Sequence, residues 1–395
     1  MATKYNGIKK RYGNADIEYS VFSNNQANEL HLFIKPCGLE NFETQLSDSL
    51  FSLVTFIETN ESKHLALVFV RFFVSDYANQ ANIMDMVDSF ENKIFKSCAI
   101  SVVQQPPLSG EKVVLWAYLV DNPSVCIHQS LGTGRSEITL KRNGYDHIWS
   151  TGIINNNGCT DSYAQVLNVM KNYNSNLEDK GMSLSENCMR TWLFVKDVDY
   201  NYQGVVDARR NFFKELNMTK ETHFIASTGI EGRYCDAQIN VLMDAYSVEG
   251  VLNEQIKYLE APEMLNPTHQ YGVTFERGTS IDYGDRRHIF ISGTASIDKY
   301  GKVLYAGNIK GQITRVLNNI EALLADADSD MEDICQMIIY LRDISDRIVV
   351  QSYFESKYSK IPKVMVLAPV CRPEWLIEIE CIAIKKITKK AFKNF

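Results

Sequence analysis

The sequence reads as an α+β chain of three tandem units, packed about a common axis as an intramolecular pseudo-trimer. One observation behind this is a segment that recurs three times: an apolar strand, an acidic or polar turn, then an amphipathic stretch. It runs from Leu67 to Asp76 and on to Phe90, from Arg190 to Asp197 and on to Phe213, and from Met337 to Asp343 and on to Tyr358. A second is the helical pattern that precedes each copy. A third is the pair of strand-like runs that follows each copy.

Taken in order, Phe42, Leu46, Leu50 and Val54 recur at helical spacing ahead of the first strand. Tyr163, Val166, Leu167, Met170 and Tyr173 do so ahead of the second, and Ile313, Val316, Leu317, Ile320, Leu323 and Leu324 ahead of the third. The following strand pairs are 98–103 with 113–120, 223–226 with 237–248, and 364–370 with 376–384. Strands at 147–152 and 288–295 lead into the later helices, with a weaker counterpart at 29–35. The unit is therefore strand, strand, helix, strand, helix, strand, strand, with copies at 14–121, 122–255 and 270–386. Pro262 and Pro267 mark a connector before the last copy. A sheet with helices on one face leaves the other bare, and three bare faces in one chain bury each other by packing together. The connections are short and not Gly/Ser-rich, which weighs against three independent domains on linkers.

Composition excludes several function classes. With 41 basic and 48 acidic residues the net charge is −7, which argues against a nucleic-acid partner. No apolar run approaches a membrane span, and residues 1–13 lack a signal-peptide core, so no membrane role is expected. Nine cysteines without a C-x-x-C pair fit reduced thiols and a cytoplasmic location. Zinc spacing, H-E-x-x-H, G-x-S-x-G and a P-loop are absent, so neither a metal nor another cofactor is expected.

The chemistry-bearing stretch is the closing strand, L-I-E-I-E-C-I-A-I at 376–384. Its period of two puts Glu378 and Glu380 on one face and Ile377 and Ile379 on the other. Two carboxylates so close repel each other, and partial burial also favours the neutral form. A neutral carboxyl in a pocket can act as a general acid. The alternative is a solvated face on which Glu378 pairs with an arginine or lysine and stays ionised.

The third copy resembles a Rid domain (reactive-intermediate deaminase, YjgF-like, of chorismate mutase-like fold) over its whole length. The resemblance is carried by I-S-G-T-A-S at 291–296, Y-L-R-D at 340–343 and the closing I-E-I-E-x-I-A strand. It implies a trimeric arrangement with sites in the clefts between units, where the first glutamate of the closing strand faces the Ser-Gly segment of its own unit. Only the third copy keeps that glutamate; Val114 and Leu242 stand at its place in the others. A three-copy chain of this kind is similar to the chorismatases. Further matches are R-T-W at 190–192, A-S-T-G-I-E-G at 226–232, F-E-R at 275–277 and V-C-R at 370–372. Leu193 and Phe194 depart from the Asn-Tyr usual after R-x-W, and Glu231 from a second glycine.

That resemblance implies cleavage of the enolpyruvyl ether of chorismate, a dianion, to pyruvate plus a hydroxybenzoate or dihydroxycyclohexadienoate. Glu378 is then the catalytic acid. Arginine's planar fork suits carboxylates, and Arg277, Arg190 and Arg372 are the expected substrate clamps, with Arg209 or Arg210 a further candidate. Ser227, Thr228 and Gly229, read as a loop with free N–H groups and hydroxyls, face Gly293 and Thr294 across the site. The expected partner is a small dicarboxylate, and the chain is expected to be a monomer or to self-associate weakly. Two other functions remain open: a Rid-type imine or enamine deaminase, and a non-catalytic protein that binds a small carboxylate. Lys363, where such deaminases carry an arginine, weighs against the former.

Overall fold

β-branched and aromatic residues crowd the strands of each repeat, and the helices that follow carry one apolar stripe. The computed structural model describes residues 3–24, 27–59, 65–90, 93–121, 125–130, 136–155 and 157–395. The first unit comprises β1 (Thr3–Tyr12), β2 (Ala15–Ser23), β3 (Asn28–Pro36), α1 (Phe42–Glu58), β4 (Leu65–Val74), α2 (Tyr77–Ser89), β5 (Ala99–Gln104) and β6 (Val113–Asp121). The second comprises β7 (Val125–Ser130), β8 (Ser136–Arg142), β9 (Tyr145–Ile153), α3 (Ser162–Glu178), the single turn α4 (Leu184–Asn187), β10 (Cys188–Val195), α5 (Val198–Glu215), β11 (Ala226–Glu231) and β12 (Val241–Glu249). The third comprises β13 (Ile256–Tyr258), β14 (Gly278–Asp282), β15 (Arg286–Ala295), α6 (Ile309–Asp326), β16 (Ile334–Leu341), α7 (Arg347–Lys357), β17 (Lys363–Leu367) and β18 (Ile377–Lys386).

The three six-stranded sheets have one topology. Their orders are β1-β2-β3-β6-β4-β5, β13-β14-β15-β18-β16-β17 and, written from the other edge, β11-β10-β12-β9-β8-β7. Two features differ from the sequence reading. Each unit opens with three strands, not two, so β1 lies before residue 14 and β13 before residue 270. A polar strand such as β1, with glycine at position 7, and a three-residue strand such as β13 carry too little alternation to be recognised. The 226–231 stretch is also not a loop: it is β11, parallel to β10 in register Arg190↔Ala226 through Val195↔Glu231.

The helices of the first two units cover one sheet face each, giving two local cores. The opposite faces of all three sheets meet in one shared core, which also takes in the helical side of the third unit. Trp149 stacks near Trp192, and Tyr246 lies 5.3 Å from Phe290, so rings from the second and third units interleave at the centre. The three bare faces thus pack as a pseudo-trimer. β18 is covered on both faces, which is why both its isoleucines and its glutamates are buried.

Each junction between units has its own buried ion pair. Arg71 of β4 reaches Asp244 of β12 (2.8 Å), and its guanidinium lies 4.8–5.4 Å from the rings of Phe69, Trp116, Trp192 and Phe194. Arg190 of β10 reaches Glu380 of β18 (2.8 Å). Glu29 of β3 accepts from Arg286 (2.5 Å), from His288 (2.9 Å) and from the Tyr118 hydroxyl (2.6 Å).

Candidate active site

Register identifies equivalent positions in the three closing strands. Val114, Leu242 and Glu378 lie opposite the penultimate residues of β4, β10 and β16, namely Phe73, Phe194 and Tyr340. A carboxyl therefore stands at this position in one unit of three.

Beside it, the β15–β18 ladder slips between Ile291 and Thr294. This irregularity brings Ser292 and Gly293 out of simple pairing. A Cβ on Gly293 would come within 2.0 Å of the Glu378 Oε1, so only glycine leaves room for the carboxyl. The same slip occurs in the second unit between β9 and β12, but there Asp244 accepts the Gly152 N–H (3.0 Å) and Leu242 fills the acid's place.

β11 of the second unit completes the site by lying along the third. Glu276 donates its N–H to the Ile225 carbonyl (3.0 Å), the Ser227 N–H donates to the Ser292 hydroxyl (2.9 Å), and the Gly293 N–H donates to the Thr228 hydroxyl oxygen (2.8 Å). Between the two units opens a cleft of about 270 Å³. Glu378, Gly293, Ser227 and Gly229 line it, together with the arginines 209, 210, 277 and 372.

Glu378 is 5% exposed. Burial pushes its pKa up to about 8, the neighbouring Glu380 adds to the rise, and Arg190 and Arg277 oppose it. Glu380 is occupied on both oxygens, by the Trp192 indole N–H (2.7 Å) and by Arg190 (2.8 Å). The pair thus divides the work: Glu380 holds the seam, and Glu378 faces the cleft.

Arg277 is buried and donates to the Asn266 carbonyl (3.0 Å), with its guanidinium 5.5 Å from the Phe275 ring. Arg209 lies 5.7 Å from the same ring and 3.3 Å from the Ser227 hydroxyl. Arg372 sits over Trp375, 4.8 Å from the ring centre. Arg210 is partly exposed, paired with Asp207 (2.9 Å) and with the Gly272 carbonyl (2.6 Å). Among the described residues no three His, Cys, Asp or Glu side chains gather to hold a metal ion.

Of the residues singled out in the sequence, Glu378, Arg277, Arg372, Ser227, Gly229 and Gly293 meet in this cleft. Three others stand behind its wall. Arg190 is spent on Glu380 and the Thr228 hydroxyl, Thr228 bridges Arg190 to the Gly293 N–H, and the Thr294 hydroxyl turns back to the Ser292 carbonyl (2.9 Å). Both Arg209 and Arg210 reach the cleft, where one had been expected. Tyr202, Phe275, Cys371 and Trp375 also line it. Phe275 and Cys371 lie inside motifs already noted; Tyr202 and Trp375 carry no local signal in the sequence.

Comparison with known proteins places the chain in a family through its third unit. The endoribonuclease L-PSP family model matches residues 280–385, which is most of the third unit. A RutC family protein of Pyrococcus abyssi is 31% identical over 100 residues, covering 25% of this chain and 79% of the relative. The chain belongs to the RutC family. A second RutC family protein, UK114 of Drosophila melanogaster, is 30% identical over 100 residues, 25% of this chain and 72% of that protein. At the level of the whole chain, a chorismatase crystal structure superposes with a TM-score of 0.61 at 16% identity, covering 80% of this chain and 93% of that one. This RutC-family chain therefore shares the chorismatase fold. No helix among the described residues is long and apolar enough to cross a membrane.

Proposed function

We propose that this protein is an enzyme of the chorismatase type, cleaving the enolpyruvyl ether of chorismate by general-acid catalysis. The observation that carries the reading is Glu378: a carboxyl whose pKa burial pushes up to about 8, at a unit junction where four arginines line the cleft in front of it. The likeness of fold to a chorismatase over most of the chain supports the choice of substrate.

Glu378 donates its proton to the terminal CH2 carbon of the enol ether, which gives an oxocarbenium ion at the ether carbon. Water adds there, and the hemiketal collapses to pyruvate and a hydroxylated ring acid. One water is consumed, and a proton returns to Glu378. The arginines hold the two carboxylates and carry no step of bond making; their bidentate forks fix the ether carbon near the acid. Glu380, already committed to Arg190 and Trp192, keeps negative charge beside Glu378 and so favours its neutral form.

A coupled assay for pyruvate, with chorismate as substrate, tests this. The expected result is pyruvate release that disappears in Glu378→Gln. No pyruvate from chorismate, together with ammonia from an enamine substrate, would move the reading to the imine or enamine deaminase. Chorismate binding without turnover would leave a carboxylate-binding protein.

A further inference from the structure

A second chamber lies behind Arg277. It opens between residues 220–224 of the second unit and 258–269 of the third, and encloses about 130 Å³, roughly half the volume of the cleft. Arg277 lines both spaces. Its Nη2 is fixed by the carbonyl of Asn266, a residue of the chamber wall (3.0 Å).

The chamber's other groups suit a small carboxylate. Lys220, His223 and His269 supply basic side chains. His223 lies flat on Tyr258, with ring centres 4.3 Å apart, and its Nδ1 is 2.9 Å from the Phe224 carbonyl. A carbonyl only accepts, so Nδ1 carries the hydrogen and the tautomer is set. Glu276 and Glu260 are the acidic groups at the wall. Burial pushes the Glu276 carboxyl above the usual range, and one of its oxygens accepts the Phe224 N–H (2.7 Å).

We propose that this chamber is a second binding site, for a small 2-oxo monocarboxylate, joined to the cleft through Arg277. The proposal rests on the ether-cleavage reading for the identity of its ligand. Cleavage turns one bound dianion into two monoanions in the same cleft, and the smaller one must leave before the next substrate enters. Arg277, which lines both spaces, is the group through which the three-carbon fragment would pass to the chamber without meeting the ring acid.

Ligand-observed NMR titration of the full chain with pyruvate tests the site, with oxamate as a second probe. The expected result is saturable pyruvate binding that weakens about five-fold or more in His223→Ala and in Lys220→Glu, the scale of losing one partly exposed charged contact. Lys310→Ala, an exposed change outside both spaces, should leave pyruvate binding within about two-fold. Both chamber substitutions are at half-buried or exposed positions, and unchanged thermal midpoints would exclude misfolding. No saturable binding of either probe overturns the proposal, and so does pyruvate binding unchanged in both His223→Ala and Lys220→Glu. The two readings fail separately. Pyruvate bound in the chamber with no pyruvate made from chorismate removes the reaction and keeps the site; pyruvate made but not bound does the reverse.

Discussion

A carboxyl with a pKa near 8 behaves unlike its neighbours, and its protonation state sets two measurable properties of Glu378. As a general acid it is competent while protonated, so kcat/KM should stay level through neutral pH and fall above about 8. A profile that instead rises from acid pH through 5 would assign Glu378 the ionised role. Glu378→Gln should lower turnover by about 100-fold or more, within the range that general acids contribute. Stability follows the same titration with a definite sign. Below the ordinary carboxylate pKa both folded and unfolded chains are protonated at this site. Between that value and about 8 the unfolded chain loses the proton while the folded one keeps it, so the parent protein loses stability as pH rises across this window. Glutamine does not titrate, so the gap in melting temperature between Glu378→Gln and the parent should widen from pH 5 to pH 8. A constant gap would mean that Glu378 is ionised in the fold throughout.

The elements that present this residue set tolerances of their own. β15 approaches β18 so closely at Gly293 that Gly293→Ala must push the Glu378 carboxyl aside or move the Thr228 methyl, which would be 3.0 Å from the new carbon. A displacement of about 1 Å costs about 100-fold in rate, so the variant should fold yet lose activity on that scale; crystallography or circular dichroism separates this from unfolding. Arg190→Met removes the cation from Glu380 and leaves a buried carboxylate with only Trp192, which should destabilise the protein by about 3–5 kcal/mol in denaturant titration. The adjacent double change to Arg190→Met with Glu380→Gln should recover part of that loss.

Element by element, legibility followed pattern strength. The repeated strand–helix pairs and the I-E-I-E strand were readable because alternation and helical spacing run for many residues. β11 was not: S-T-G-I-E is short, polar and contains glycine, and it becomes a strand because β10 on one side and the third unit on the other satisfy its backbone. Arg190 shows the matching limit within the site. Its residue type and motif pointed to substrate, but which of two acidic partners an arginine meets is decided by tertiary placement, here Glu380 across the seam.

At the scale of the molecule, each sheet is folded against two others, and no unit has a complete environment alone. The third unit contains the acid and the whole family match, yet its inner strands β15 and β18 bury side chains against the second and first units. Residues 256–395 expressed alone should therefore expose a broad apolar face and elute from size exclusion as oligomer or aggregate; a stable monomer would mean that the face is less apolar than its packing implies. The three junctions are also not interchangeable. Asp244 waits for Arg71, Glu380 for Arg190, and Glu29 for Arg286, and the cationic partner comes from the earlier unit at two junctions and from the later unit at the third. A unit seated in the wrong berth would strand a charge away from water. Fusion into one chain thus comes with a seating plan written in matched charges, and it lets one berth carry a carboxyl where its two counterparts carry Leu242 and Val114.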